Sequence, residues 1–177
     1  DEKWVAAKIR MIHGRLADLT RQAQADPRVE LVIWPETALP DDVLNSESSY
    51  GLVWSLCANG PPILTGSLDT AVLDSGREQY FNSAFLFDVG ARRAGEYDKR
   101  HLVVFGEFVP LERWIPAAWR KALGLPTSLT PGEGGSVLRA GRAEIPFAPL
   151  ICFEDILPHL ARADVRAGAR MLVNLTN

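Results

Sequence analysis

Short apolar segments of strand length alternate with segments of helical periodicity along the sequence. The first segment, over about residues 5–19, repeats its apolar residues at spacings of four and three, which predicts an amphipathic helix. Strands are predicted at residues 30–34, 63–68, 80–89, 147–152 and 170–176, with a short one near 95, and helices at residues 42–58, 111–123 and 155–168. The strands at 63–68 and 80–89 flank a turn at 74–77 and predict a hairpin, and residues 124–136 predict an irregular loop. Strands that alternate with helices indicate an α/β fold, in which layers of helix pack on a sheet.

The size and composition of the chain exclude several classes of protein. Its 177 residues suit one domain with an apolar core. A net charge of −3 argues against a general nucleic-acid binder, because phosphate binding needs a basic surface. The longest apolar stretch, residues 147–153, is far shorter than the roughly 18 residues that cross a bilayer. The two cysteines and three scattered histidines show no metal-ligand spacing, so we expect neither a metal nor another cofactor.

An ionisable residue follows each of three apolar segments where the predicted strand ends. Ligands of α/β sheets bind outside the carboxyl ends of strands, so chemistry is expected at these positions. The first is Glu36, whose neighbours Trp34 and Pro35 partly desolvate the carboxylate and suit it to act as a base. The alternative is that Glu36 only stabilises the start of a helix.

The second position is Lys99, within the charged run at residues 96–101. Such runs are usually solvated surfaces, and this is the alternative for Lys99. The following segment, residues 102–110, is apolar except for Glu107. A buried carboxylate needs a partner, so we expect Glu107 to pair with Lys99.

The third position is Cys152, which ends a predicted strand just before a predicted helix. A strand–turn–helix elbow exposes a nucleophile and directs backbone N–H groups at a developing oxyanion. A free cysteine is more often a small buried hydrophobe, and we keep that interpretation for Cys57. The elbow and the adjacent Glu154 favour a nucleophile at Cys152.

The order Glu36, Lys99 and Cys152, each after a strand, resembles the nitrilase (carbon–nitrogen hydrolase) superfamily. Three segments are similar to the apolipoprotein N-acyltransferase family within it: residues 34–38 (WPETA), 97–110 (YDKRHLVVFGEFVP) and 150–154 (LICFE). Soluble nitrilases share the Lys-x-x-His-Leu part of the middle segment but, as a rule, not its Phe-Gly-Glu-x-Val-Pro continuation. The likeness covers nearly the whole chain.

This resemblance implies an α-β-β-α sandwich, in which residues 1–177 form a nitrilase-like catalytic domain that is incomplete at both ends. It implies that Cys152 is the nucleophile, Glu36 the general base and Lys99 the residue that stabilises the oxyanion. It adds Glu107 and Glu154 as supporting carboxylates of the active site. It assigns no substrate-binding residue.

The activity implied by the resemblance is transfer of a fatty acyl chain from a phospholipid to the amino group of a diacylglyceryl apolipoprotein, through a thioester on Cys152. The location implied is the bacterial inner membrane, reached through segments outside this chain, with the catalytic domain facing the periplasm. One alternative is a soluble nitrilase-type amidase that uses the same three residues on a small amide. Another is a non-enzymatic domain that serves as an interaction surface.

Overall fold

The computed structural model describes residues 2–39, 41–116, 119, 124, 127–142 and 144–177. The helices are α1 (Glu2–Gln24), α2 (Glu47–Cys57) and α3 (Pro158–Arg166), with 3₁₀ turns at Val89–Ala91, Glu112–Trp114 and Cys152–Ile156. The strands are β1 (Val32–Ile33), β2 (Ile63–Val72), β3 (Glu78–Phe87), β4 (Arg93–Asp98), β5 (Leu138–Ala140), β6 (Ile145–Ile151) and β7 (Met171–Leu175). They form one sheet with the order β1-β2-β3-β4 and a second with the order β5-β6-β7. The predicted α/β fold class is confirmed.

A long hairpin forms the centre of the first sheet. β2 and β3 pair antiparallel from Ile63 opposite Phe87 to Val72 opposite Glu78, and β4 pairs antiparallel with β3. The predicted hairpin is confirmed, and its strands extend further toward the turn than their apolar residues indicated. β1 lies parallel to β2, but the strand predicted at 30–34 pairs only at Val32–Ile33.

The second sheet contains a β-α-β unit. β6 pairs antiparallel with β5 and parallel with β7. Parallel neighbours need a crossover connection, and the segment that contains α3 supplies it. Phe147 and Ile151 of β6 face one side of the sheet and Ala148 and Leu150 the other, because side chains alternate along a strand. All four are buried, so β6 is covered on both faces.

Two apolar cores follow from this layering. One lies between the two sheets and includes Leu64, Leu86, Tyr97, Phe147, Ile151, Val173 and Leu175. The other lies between the first sheet and the helices α1 and α2, and includes Ala17, Trp34, Leu39, Val53, Leu56, Phe85 and Phe87. The indole N–H of Trp34 donates to the Thr20 hydroxyl at 3.0 Å, which fixes the end of β1 to α1.

Two helices begin later than predicted. α2 begins after Ser46, whose hydroxyl caps the helix by accepting a hydrogen bond from the backbone N–H of Ser49. α3 begins at Pro158 rather than near 155, because residues 152–156 form a 3₁₀ turn. Of the helix predicted at 111–123, the structure describes residues 111–116 and 119; they contain the 3₁₀ turn Glu112–Trp114 and a helical residue at 119, and the rest of the prediction lies outside the described residues. The loop predicted at 124–136 is confirmed for its described residues.

Candidate active site

The ends of β1, β4 and β6 meet at one end of the sandwich. Glu36 follows β1 by three residues, Lys99 directly follows β4 and Cys152 directly follows β6. The Lys99 ammonium lies 3.6 Å from Glu36 Oε1, which joins the first two strand ends. Glu154, in the turn after β6, accepts a hydrogen bond of 2.8 Å from the backbone N–H of Arg100, which joins the second strand end to the third.

Lys99 is buried between two carboxylates. Only 1% of its side chain is exposed, and its Nζ donates to Glu107 Oε1 at 2.7 Å in addition to the longer contact with Glu36. An ammonium is costly to bury without a counter-charge, so its position depends on these carboxylates. The predicted pairing of Lys99 with Glu107 is confirmed, and the interpretation of Lys99 as a solvated surface charge is wrong.

The loop after β4 folds around the Glu107 carboxylate. The side-chain oxygen Oε2 of Glu107 accepts a hydrogen bond from the backbone N–H of Val103 at 2.9 Å. The backbone N–H of Glu107 donates to the Val103 carbonyl at 2.8 Å. The backbone carbonyl of Glu107 accepts a hydrogen bond from the backbone N–H of Leu129 at 2.7 Å. The carboxylate is thereby held against Lys99 from the loop side.

Glu36 is held in place by the edge of the hairpin. After β1 the chain continues beside β2, where the N–H of Trp34 donates to the Leu64 carbonyl at 2.8 Å and the N–H of Gly66 donates to the Pro35 carbonyl at 3.3 Å. The alternative interpretation, in which Glu36 stabilises the start of a helix, is wrong, because α2 begins only at residue 47. The Glu36 side chain is 13% exposed.

Asn82 is a member of this network that sequence analysis missed. It lies on β3, is 4% exposed, and donates through Nδ2 to Glu36 Oε1 at 2.9 Å and to Glu107 Oε1 at 3.1 Å. Its sequence signal is weak, because β3 contains other polar residues, including the buried Ser83 next to it.

Cys152 adopts an unusual backbone conformation. Its φ is +53°, in the left-handed region that residues other than glycine rarely occupy. The chain turns there from β6 into the 3₁₀ turn Cys152–Ile156, which has the strand–turn–helix form of a nucleophile elbow. The thiol is free and partly exposed, and the side chain packs against the core between the sheets.

Glu154 fixes this elbow from inside the protein. It is fully buried and accepts hydrogen bonds from the Tyr97 hydroxyl (2.6 Å) and from the backbone N–H groups of Ile151 (2.9 Å), Arg100 (2.8 Å) and His101 (3.0 Å). Four donors satisfy both carboxylate oxygens, so Glu154 connects the start of the elbow to the residues that follow Lys99.

A second layer of contacts supports Glu154. Tyr97 accepts a hydrogen bond of 3.0 Å from Arg100 Nε, and Arg100 Nη2 pairs with the buried Asp164 of α3 at 2.7 Å. Burial and the neighbouring Glu154 raise the pKa of the Tyr97 hydroxyl well above its ordinary value. Tyr97 therefore stays a neutral donor to Glu154. Sequence analysis did not single out Tyr97 or Asp164.

The five residues singled out from the sequence thus occupy one end of the fold. Glu36, Lys99 and Glu107 form a buried ionic network, while Cys152 and Glu154 belong to the adjoining elbow. A carboxylate, an ammonium and a thiol at an elbow are the groups required for nucleophilic attack on an acyl carbon.

A serine, a histidine and an aspartate also meet elsewhere, between α1 and α2. The Ser49 hydroxyl donates to Asp41 and lies 3.2 Å from His13 Nε2. Ser49 is fully buried, and the aspartate contacts the serine rather than the histidine. This arrangement therefore differs from a hydrolytic triad, in which the histidine lies between the other two residues.

Several large apolar side chains are exposed on the surface. Trp114 is 72% and Trp119 66% exposed, so neither belongs to a core. Phe105, in the loop that carries Glu107, and Phe153, next to Cys152, are also exposed. Within the described residues, no helix has the length and apolar character needed to cross a membrane. The same part of the chain contains no group of three or more His, Cys, Asp or Glu side chains suited to hold a metal ion.

The two-sheet sandwich, with a thiol elbow beside a buried Glu–Lys–Glu network, agrees with the match to a known family. The profile of the Carbon-nitrogen hydrolase family matches residues 3–177, and the chain belongs to this family.

Two curated relatives carry the same name. The chain is 38% identical over 165 residues to an apolipoprotein N-acyltransferase of Geobacter metallireducens, covering 90% of this chain and 30% of that protein. It is 32% identical over 181 residues to the apolipoprotein N-acyltransferase of Brucella suis, covering 99% of this chain and 33% of the relative. The chain therefore spans about a third of the length of the curated relatives that it matches.

Solved structures share the fold at low sequence identity. A mutant of the Nesterenkonia AN1 amidase, of the nitrilase superfamily, superposes with a TM-score of 0.64 at 16% identity, covering 94% of this chain and 59% of that one. A glutamine-dependent NAD+ synthetase of Acinetobacter baumannii also gives 0.64 at 16% identity, covering 96% and 30%. The predicted nitrilase-like fold is confirmed.

Proposed function

We propose that this chain supplies the catalytic domain of an N-acyltransferase that forms a thioester on Cys152. The observation that carries the proposal is the buried Glu36–Lys99–Glu107 network, which Glu154 ties to the elbow at Cys152. The names of the curated relatives support acyl transfer to an apolipoprotein.

In the first half-reaction Cys152 attacks the ester carbonyl of an acyl donor. Glu36 takes the thiol proton, because an unassisted thiol is largely protonated at neutral pH. The sulfur–carbon bond forms and the carbonyl oxygen becomes an oxyanion, which Lys99 and a backbone N–H of the elbow stabilise. Each well-placed donor contributes about 2.7–4 kcal/mol to such a step. The ester carbon–oxygen bond then breaks, and Glu36 returns the proton to the leaving alcohol.

In the second half-reaction an amine attacks the thioester. Glu36 accepts a proton from the amine, a carbon–nitrogen bond forms and the carbon–sulfur bond breaks. The proton then passes from Glu36 to the Cys152 sulfur, which restores the free thiol. The reaction is a ping-pong acyl transfer in which one carboxylate serves both halves.

Glu107 and Glu154 act as supporting residues in this scheme. Glu107 holds the Lys99 ammonium from the loop side. Glu154 accepts hydrogen bonds from the backbone on both sides of the gap between β4 and β6, and so fixes the distance from Lys99 to the elbow.

The acyl donor in this proposal is a phospholipid, and the acceptor is the amino group of a diacylglyceryl apolipoprotein. The bacterial inner membrane is the proposed location, with the domain facing the periplasm and anchored through parts of the protein outside this chain. The exposed Phe105 and Phe153, close in sequence to Glu107 and Cys152, give the surroundings of the site an apolar character that suits an acyl chain.

Intact-mass spectrometry tests the proposal. The detergent-solubilised protein is incubated with phospholipid or, in parallel, with a small aliphatic amide, and Cys152→Ala serves as the control. We expect a fatty-acyl adduct from phospholipid on the parent protein and none on Cys152→Ala. An adduct from the amide alone would instead identify an amidase, and an acylated Cys152→Ala protein would exclude Cys152 as the nucleophile.

A further inference from the structure

Asn82 and Lys99 contact the same two carboxylate oxygens, Asn82 through hydrogen bonds to both and Lys99 through a hydrogen bond to Glu107 and an ion pair with Glu36. Asn82 Nδ2 lies 2.9 Å from Glu36 Oε1 and 3.1 Å from Glu107 Oε1, and Lys99 Nζ lies 3.6 Å and 2.7 Å from these atoms. The backbone carbonyl of Asn82 also accepts a hydrogen bond of 2.9 Å from the N–H of Lys99. Amide and ammonium therefore hold the two carboxylates at a fixed separation.

The orientation of the Asn82 amide follows from its partners. A flipped amide would place its oxygen against two carboxylate oxygens, so Nδ2 must face them. This orientation leaves Asn82 Oδ1 buried without a hydrogen-bond partner among the described residues. An unsatisfied acceptor is unfavourable, so the contacts to both carboxylates dominate the conformation of this side chain.

The two oxygens of Glu36 have different surroundings. Oε1 accepts the Asn82 hydrogen bond and faces Lys99, whereas no donor in the described part of the chain reaches Oε2. Glu107 differs, because its Oε2 is already engaged by the N–H of Val103. Within this network Glu36 Oε2 is thus the carboxylate oxygen available to accept a proton.

We propose that Asn82 is a positioning residue that engages Glu36 Oε1 and thereby makes Oε2 the proton acceptor in both half-reactions. The inference rests on the proposed function, in which Glu36 is the base. Asn82 acts through Glu36 and does not contact the reacting acyl group.

The test compares Asn82→Ala, Asn82→Ser and the isosteric Asn82→Asp in the full-length protein that carries this chain. Two rates are followed: acylation of Cys152 by phospholipid, and its alkylation by iodoacetamide. For Asn82→Ala we expect acylation to fall by about 100-fold, the scale of a lost general base. Alkylation of Cys152 should slow with it, because both reactions need Glu36 to accept the thiol proton. Asn82→Ser, which keeps one donor, should fall between Ala and the parent, and Asn82→Asp, which adds a negative charge, should be the slowest.

Ser83→Ala is the matched control. Ser83 is the next residue of β3 and points to the opposite face, where its hydroxyl donates to Asp98 at 2.6 Å. Both rates of Ser83→Ala should therefore match those of the parent. An Asn82→Ala protein that melts like Ser83→Ala, with acylation and alkylation rates both within about twofold of the parent, would overturn the inference. If the parent itself forms no acyl-enzyme, the proposed function fails, yet alkylation still tests Asn82, because it requires only loss of the thiol proton.

Discussion

The backbone of Glu36 lies directly against Gly66 of β2. A β-carbon on Gly66 would lie 2.7 Å from the Glu36 Cα, which is closer than β-carbons come to other heavy atoms in proteins. The two segments are also bonded through the N–H of Gly66 and the carbonyl of Pro35. Gly66 therefore sets how closely the Glu36 segment can approach the hairpin, and with it the position of the carboxylate relative to Lys99.

Replacing Gly66 by alanine should displace Glu36. The clash is with backbone atoms, so the segment must shift as a unit, and overpacking of this kind costs about 1–3 kcal/mol. We expect a lower melting temperature together with acyl-enzyme formation reduced by about 100-fold, since a misplacement of this size impairs positioning. Gly51→Ala in α2, where an added Cβ meets nothing within 4 Å, is the control. It should stabilise the protein by about 0.5–1 kcal/mol and leave acylation unchanged. Normal acylation by Gly66→Ala would contradict the prediction.

Removing the Tyr97 hydroxyl should weaken the support of the elbow. Tyr97→Phe leaves Arg100 Nε without its hydroxyl acceptor and removes one of the four donors to Glu154, at a cost of about 1–3 kcal/mol. Urea denaturation measures this cost, and acylation should slow with it. Tyr50→Phe is the control, because Tyr50 is 39% exposed and its hydroxyl donates a long hydrogen bond of 3.2 Å to the carbonyl of Ala91. Equal losses in both variants would argue against a special role for Tyr97.

The Tyr97 hydroxyl should also make the folded protein less stable at alkaline pH. Burial and Glu154 raise the pKa of Tyr97 in the folded protein, so above about pH 10 the unfolded state binds fewer protons than the folded state. The free energy of unfolding then falls as pH rises. Tyr97→Phe lacks this contribution, so its unfolding free energy should decline less steeply above that pH than that of the parent.

The candidate site was predictable where its signal is local. Glu36, Lys99 and Cys152 each interrupt an apolar run at its end, and that contrast is visible in a few neighbouring residues. Asn82 and Tyr97 have no such signal. Their roles depend on the register of β3 with β4 and on the packing of one sheet against the other, which no short segment specifies.

Secondary structure was likewise predictable only where its signal lies in neighbouring residues. The hairpin and most strands followed from apolar runs and turn residues. The start of α3 did not, because four hydrogen bonds to Glu154 hold the preceding residues in a 3₁₀ turn, and three of the donors are distant in sequence. Tertiary contacts of this kind override local helix preference.

The two cysteines should differ sharply in reactivity. Cys57 is fully buried in α2, and burial raises the pKa of its thiol to about 11. Cys152 is partly exposed at the elbow. At about pH 8, iodoacetamide should label Cys152 in the native protein and Cys57 only after denaturation, since the thiolate is the nucleophile. Peptide mass mapping with and without urea, with Cys152→Ala as the control, measures this. Labelling of native Cys57 at a similar rate would contradict it.

Replacing Asp69 by asparagine should stabilise the protein at neutral pH. Burial, then Asp42 and Asp98, raise the pKa of Asp69, so its ionised form is disfavoured in the folded state. A folded carboxyl with a raised pKa binds more protons than the unfolded one, so its contribution to stability grows as pH falls and is lost as pH rises through the folded pKa. Asp69→Asn removes the charge that is unfavourable at neutral pH. Its melting temperature should exceed that of the parent near pH 7, and the difference should shrink as pH falls and the parent carboxyl takes up its proton. The control is Asp74→Asn in the exposed turn after β2, which should show no such pH-dependent gain. A gain for Asp69→Asn that stays constant as pH falls would show that it does not arise from the charge.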